Sequence, residues 1–256
     1  MTFRELYSKI DEKFPKSLSC EWDNDGIMCM PAPDRQVKNV LISLDITENV
    51  VDFAIENGFD TIVSHHPLVF HSQKSLSIEN YTQRKLIKLV MANINAMSFH
   101  TRLDAAMDGV NDVLSNLVHL YNAEVDSIDP IGRIAPIWES ENDVTLPEFA
   151  KWVKLCLGSP CVFYSGNRVV KKVYICGGDG KDMIPAAIAN GADTLLTGRA
   201  SYNTMVDAKD MGLNIVEAGH YYTENPVCVA FENFISSLDS SIKTKKIESN
   251  NIQIVK

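Results

Sequence analysis

Apolar and polar positions along the chain follow two alternating periods. Val37–Leu44 (VKNVLISL), Thr61–Ser64 and Ile94–Phe99 are short runs rich in aliphatic and β-branched side chains, the pattern of strands buried on both faces. Between them apolar residues recur at helical spacing. Phe3, Leu6, Tyr7 and Ile10 share one face of a first helix, which Thr2 and Glu5 open as a capping box. Val50, Val51, Ala54 and Ile55 share a face of a second, capped by Thr47 and stopped by Gly58. A third helix is expected over about Asn80–Ala92, and a fourth carries Val110, Val113, Leu114, Leu117, Val118 and Tyr121 inward.

The second half repeats this grammar. Thr145 and Glu148 form another capping box ahead of Phe149, Trp152, Val153 and Cys156. Strands are expected near Cys161–Tyr164, Val169–Cys176, Thr194–Thr197 and Asn214–Glu217, with helices ending at Gly191 and spanning about Ser201–Met211. Pro226 opens a last long helix that turns Val227, Ala230, Phe231, Phe234 and Leu238 inward, and the polar tail after Asp239 is expected to be partly loose. Val40–His66 also aligns without a gap on Val173–Arg199, an offset of 133 residues, with eight of 27 positions identical. Asn57/Asn190, Gly58/Gly191, Asp60/Asp193 and Thr61/Thr194 are among them. The expected fold is therefore α/β, with two similar domains related by internal duplication over residues 1–125 and 126–256. The C-terminal part is expected to pack back on the first.

Composition narrows the function. With 24 Lys plus Arg against 33 Asp plus Glu, the net charge of -9 opposes general nucleic-acid binding and docking to anionic lipid. No apolar stretch approaches the roughly 20 residues of a membrane helix. The amphipathic start, MTFRELYSKIDEKF, has no apolar signal core. Six scattered cysteines without a C-x-x-C pair fit a reducing cytoplasm.

Candidate chemistry collects at strand exits, where ligands gather in open α/β sheets. Asp45 follows the first strand and His65–His66 the next; His100 and Asp104 follow the third, and His220 and Glu224 follow a strand of the second half. Four of six histidines are thus at strand exits with three carboxylates. Imidazole plus carboxylate without thiolate suits Zn, Fe or Mn. Neighbouring histidines on a strand point to opposite sides, but Pro67 holds His66 extended past the strand end, so the pair can face two adjacent ions. The expected ligands are His65, His66, Asp104, His220 and Glu224. In one partition His66 and Asp104 hold one ion, His65 and His220 the other, and Glu224 bridges. His100 is then a proton shuttle, and Asp45 orients it or a ligand imidazole, unless it only caps the following helix. His71 and His119 carry no assignment. Gly177-Gly178-Asp179-Gly180 reads as a tight strand-to-helix turn ahead of a phosphate cradle. Arg199 is either a phosphate contact or a solvated cation, and Trp22 reads as a buried anchor in an acidic turn.

These residues resemble the Nif-three-like family, also described as dinuclear metal-centre hexameric proteins and as GTP cyclohydrolase I type 2 homologues. The likeness runs through EWDNDGIM, LDIT at Leu44–Thr47, GFDTIVSHHPLVF at Gly58–Phe70, HTRLDAAMDGVND at His100–Asp112, GADTLLTGRASY and EAGHYYTENP. Members often have an acidic residue after the Gly of the LTG segment, where this chain has Arg199. The resemblance implies a dinuclear centre in the cleft between two α/β domains, with two divalent transition ions per chain on the same five ligands. It also implies a toroidal homohexamer, a trimer of dimers. The function expected is a metal-dependent hydrolase, in which two ions make hydroxide available at neutral pH for ring opening of a nucleotide such as GTP, or for a phosphoester. The alternative is a metal-binding carrier or regulatory interaction protein without turnover.

Overall fold

The structure is a computed structural model that describes residues 1–140, 142–250, 252 and 253. Two compact units account for the chain: Met1–Leu103 with Cys228–Ile252, and a second built on Asp104–Val227. Each is organised around its own sheet.

In the first unit the chain runs through helix α1 (Phe3–Lys13), strands β1 (Gly26–Cys29) and β2 (Asn39–Ser43), helix α2 (Glu48–Glu56) and strand β3 (Thr61–Ser64). Helix α3 (Tyr81–Met91) and strand β4 (Asn95–Ser98) follow. The sheet order is β1-β4-β3-β2-β11, where β11 is Lys243–Lys246. Strands β2, β3, β4 and β11 are parallel, and only β1 runs antiparallel, at the edge. Val40, Leu41 and Ile42 are fully buried, as a central parallel strand requires, and burial of each contributes roughly 1.5–3 kcal/mol. Thr2 caps α1 in the expected box and Thr47 accepts from Val50 N at the start of α2. Within the polar tail, Lys243–Lys246 form strand β11, which pairs in register with β2, Lys243 opposite Asn39. Its KTKK sequence carries no apolar signal because an edge strand can present charge to solvent.

Helix α4 (Thr101–Ala105) leads into the second unit, which holds α5 (Val110–Leu117), β5 (Glu124–Val125), β6 (Arg133–Pro136), α6 (Leu146–Leu157) and β7 (Phe163–Ser165). Next come β8 (Lys172–Asp179), α7 (Ile184–Ala189), β9 (Thr194–Arg199), α8 (Tyr202–Asp210), β10 (Asn214–Glu217) and α9 (His220–Glu224). The sheet order is β5-β6-β8-β9-β10-β7, parallel through β8, β9 and β10. Leu114, Phe149, Val153, Val173, Ile175, Leu196 and Val216 form one core of this unit. Helix α10 (Val227–Leu238) returns the chain to the first unit, where Phe231 packs edge-on against Phe14 and Phe99.

The division falls at Leu103/Asp104, ahead of the 125/126 position expected from sequence, because α5 packs on β6 and β8 of the second sheet. Asp104 therefore belongs to the second unit. Helix α5 stops at Leu117, and Tyr121 lies beyond it, exposed.

The aligned segments share their hydrogen bonding position by position. Val40 pairs with Thr61 across β2 and β3, and Val173 with Thr194 across β8 and β9. Asp60 Oδ2 accepts from Lys38 N and Asn39 N, and Asp193 Oδ2 from Lys171 N and Lys172 N. Asn57 Nδ2 donates to Phe53 O, and Asn190 Nδ2 to Ala186 O. Each pair is related by the same offset, consistent with an internal duplication.

Candidate metal centre

In the first unit, β3 ends at Ser64, and His65 and His66 occupy the two positions beyond it. The local backbone is held by His66 N donating to Leu44 O and by Ser64 Oγ donating to His66 O. The chain leaves the strand there, so the two rings no longer face opposite ways: their centroids are 4.9 Å apart. His100, just past β4, brings a third ring within 5.2 Å of His65 and 5.5 Å of His66. The three residues carry potential ligand atoms all within 4.8 Å of one another.

Each imidazole is anchored through Nδ1. His66 Nδ1 lies 2.7 Å from Asp45 Oδ1, His100 Nδ1 2.9 Å from Asp23 Oδ1, and His65 Nδ1 3.0 Å from Phe99 O. A carbonyl and two ionised carboxylates can only accept, so Nδ1 carries the proton in all three rings and metal donation falls to Nε2. This is the hydrogen bonding that metal-binding histidines require.

Asp45 thus orients His66. Its other oxygen accepts from Ser249 Oγ, and Thr47 caps α2 by accepting from Val50 N. His100 is held by Asp23, a residue whose partner lies 77 positions away. Burial raises the Asp23 pKa, but hydrogen bonds from His100 and Thr101 outweigh it and hold the carboxyl at about 2. Neighbouring Asp25 accepts Arg102 Nε at 2.9 Å and Nη2 at 3.0 Å, both side chains fully buried, and also receives His100 N. Trp22 is not the buried anchor of this turn: it is 63% exposed, and the buried carboxylates anchor the turn instead.

The second unit brings together Asp104, His220 and Glu224. His220 and Glu224 sit one turn apart on α9, with Nε2 and Oε2 2.9 Å apart. Asp104 and Glu224 present ligand atoms within 4.8 Å of each other. Glu224 is buried, and the glycines make its place. A Cβ on Gly178 would lie 2.0 Å from Glu224 Oε1, and one on Gly198 would strike Thr223 Oγ1 and His220 Cα. Gly178 also has φ +65°, the left-handed region where glycine is at home. The Gly177-Gly178-Asp179-Gly180 segment carries the irregular end of β8 directly into a 3-10 turn at Lys181–Met183 and then α7, the expected strand-to-helix connection, and it also packs against α9.

Asn111, buried on α5, links the elements of this set. Its Nδ2 donates to Asp104 O and its Oδ1 accepts from Gly177 N. Cys176 is fully buried, and burial first, then the charges of Asp104 and Glu224, push its thiol well up. The donors are left as imidazole and carboxylate. Arg199 is exposed at the end of β9, and His119 stacks edge-on against Trp152, away from these residues in sequence and role.

Of the expected site residues, His65, His66, His100 and Asp45 come together in the first unit, and Asp104, His220 and Glu224 in the second. Sequence reasoning missed Asp23 and Asn111 as positioning residues and Gly178 and Gly198 as the seat of Glu224. The acidic run at 23–25 was the only signal for the first, and the paired glycines the only signal for the last.

Comparison with known proteins gives a consistent picture. The sequence profile described as Duf34/NIF3 (NGG1p interacting factor 3) matches residues 1–253. A protein of Clostridium perfringens named GTP cyclohydrolase 1 type 2 homolog is 32% identical over 252 residues, 95% of each chain. The crystal structure of Staphylococcus aureus protein SA1388 superposes with a TM-score of 0.88 at 26% identity, over 100% of this chain and 99% of that one. A Bacillus cereus protein related to NIF3 shares the fold at a TM-score of 0.90 and 22% identity, over 100% and 99% of the two chains.

Proposed function

Because the chain belongs to the Duf34/NIF3 family, we propose that it is a metal-dependent hydrolase with a dinuclear centre of divalent transition ions, zinc, iron or manganese. The proposed ligands are His65 and His66 from the first unit and Asp104, His220 and Glu224 from the second. The observation that carries the reading is the shared anchoring of His65, His66 and His100 through Nδ1, which makes Nε2 the nitrogen each ring can present to an ion or a proton.

A pair of bound ions would supply Lewis acidity and a nucleophile at neutral pH. The chain's own residues do the rest. Asp45 fixes the tautomer of His66 and raises its basicity. Asp23 does the same for His100, so His100 Nε2 can take or give a proton while Nδ1 stays bonded to a carboxylate. Asp23 resists protonation, so this support persists across the neutral range. Asn111 and Gly178 hold Asp104 and Glu224 in place without spending a charge on it.

The substrate class is a small molecule that is hydrolysed, either a nucleotide opened at its ring or a phosphoester; the relative from Clostridium perfringens carries a name of the first kind. The net charge of -9 favours a small substrate over a long polyanion. No described helix is long and apolar enough to cross a membrane. Cytoplasmic placement and a toroidal homohexamer complete the proposal, both resting on sequence and family resemblance.

The test is a screen of metal-loaded protein against nucleotides, cyclic amides and phosphoesters, with Glu224→Gln alongside. Turnover that disappears in Glu224→Gln supports the hydrolase. Tightly held, exchangeable metal without turnover on any class would replace it with the carrier reading.

A further inference from the structure

A cavity of about 330 Å³ opens in the first unit, next to His66. Its lining includes Asp45, His66, Phe70 and His71, together with Tyr81 and Lys85 of α3. The volume is at the low end of small-molecule pockets, enough for a charged group and part of a ring.

Lys85 is the cation of this cavity. Its Nζ donates to the Ile46 carbonyl at 2.8 Å, and among the described residues no carboxylate pairs with it. The nearby acids are engaged elsewhere: Glu48 takes Arg84 at both oxygens, Asp52 takes Lys88, and Asp45 takes His66. Burial, the largest effect, lowers the Lys85 pKa, and the nearby charges of Glu48 and Asp45 offset it only in part. Aromatic residues of the lining are exposed. Phe70 is 42% exposed, its ring 6.1 Å from that of exposed Trp22 and 6.4 Å from that of His100. Large aromatic side chains left in water beside a titratable cluster are available to stack on a planar ligand.

We propose that this cavity is the substrate-anchoring subsite, taking the anionic group of a small organic phosphate or carboxylate on Lys85 while a planar ring of the same molecule stacks on Phe70 and Trp22. The proposal rests on the hydrolase reading for what happens at the His66 side, and its own content is a binding site in the first unit. A ligand held at Lys85 shares the cavity with His66, and the aromatic contact favours ring-bearing anions over inorganic ones.

Calorimetric titration of the full chain, after dialysis against a chelator, tests it with inorganic phosphate, phenyl phosphate and benzoate. The expected result is one site, with phenyl phosphate at least tenfold tighter than inorganic phosphate. Lys85→Met should weaken every anion tenfold or more and Lys85→Arg should stay within threefold. Phe70→Ala should erase only the advantage of the ring. Lys171→Met, in the second unit, serves as the control and should change nothing. Whichever of phenyl phosphate and benzoate binds tighter identifies the anionic group. Equal binding by Lys85→Met and the parent chain overturns the proposal, as does inorganic phosphate binding as tightly as phenyl phosphate. Phe70→Ala keeps the question open to measurement if Lys85→Met does not fold. Metal content, assayed on the same samples before dialysis, reports separately on the hydrolase reading and should be unchanged in Lys85→Met.

Discussion

The Nδ1 proton of His66 is donated to Asp45 Oδ1 across 2.7 Å, and this bond decides which nitrogen of His66 can reach a metal ion. Replacing Asp45 with Ala releases the ring and the tautomer together. Metal affinity is expected to fall about 10–100-fold, as for other carboxylates behind ligand imidazoles, with little change in thermal unfolding of the metal-free protein. Competition against a fluorescent chelator measures the first quantity and circular dichroism the second. Unaltered metal affinity would remove Asp45 from the site.

Histidines 65 and 66 are adjacent in sequence but proposed to serve different ions. Elemental analysis of the parent chain should give about two transition ions per chain. His65→Ala and His66→Ala should each lower that by about one, and the double variant should hold almost none. A single variant that retains both ions would contradict the assignment.

The seat of Glu224 is testable without touching a ligand. In Gly178→Ala the new Cβ collides with Glu224 Oε1 and the residue must also keep φ +65°. Destabilisation of about 1–3 kcal/mol is expected, together with reduced metal content. Gly177→Ala, whose nearest neighbour would be Val110 at 3.3 Å, should be much milder in both. Equal effects of the two substitutions would refute the cradle.

The Asp25–Arg102 pair predicts an acid limb of stability. Burial raises the Asp25 pKa, but the hydrogen bonds from Arg102 and Lys16 win and hold it below its ordinary value. A depressed folded pKa means the stabilisation is present above the unfolded value, near pH 4, and is lost as pH falls through the folded one. Arg102→Met removes one partner of a buried pair and should cost about 3–5 kcal/mol at neutral pH. The difference between parent and variant should shrink below about pH 4 in denaturant titrations.

Much of this arrangement could be read before any coordinates. The strands β2, β3, β8 and β9 were legible because central parallel strands carry unbroken apolar runs through their middles, and the matched Asp60 and Asp193 tied the two copies together. The grouping of His65, His66 and His100 with Asp45 was legible because strand exits are where loops converge. Other parts had no local signature. Helices α4 and α9 have five residues each, too few to show a helical period, although they carry Asp104, His220 and Glu224. Asp23 is recognisable only through His100, far along the chain. Trp22 looked like a core residue by type and is exposed, since aromatic character says how much surface a residue can bury and nothing of where. Strand β11 is polar because half its positions face water at a sheet edge.

That edge strand carries a consequence for how the protein is made. Residues 243–246 complete a sheet whose other strands lie before residue 99, so the ribosome delivers Asp104–Val227, the body of the second unit, before the last strand of the first. The later-synthesised unit can close as an uninterrupted stretch of chain, whereas the earlier one waits with the flank of β2 uncovered. Nascent chains halted before Lys243 should therefore expose a templating edge, and the interval until its cover arrives is when this protein is most open to mispairing.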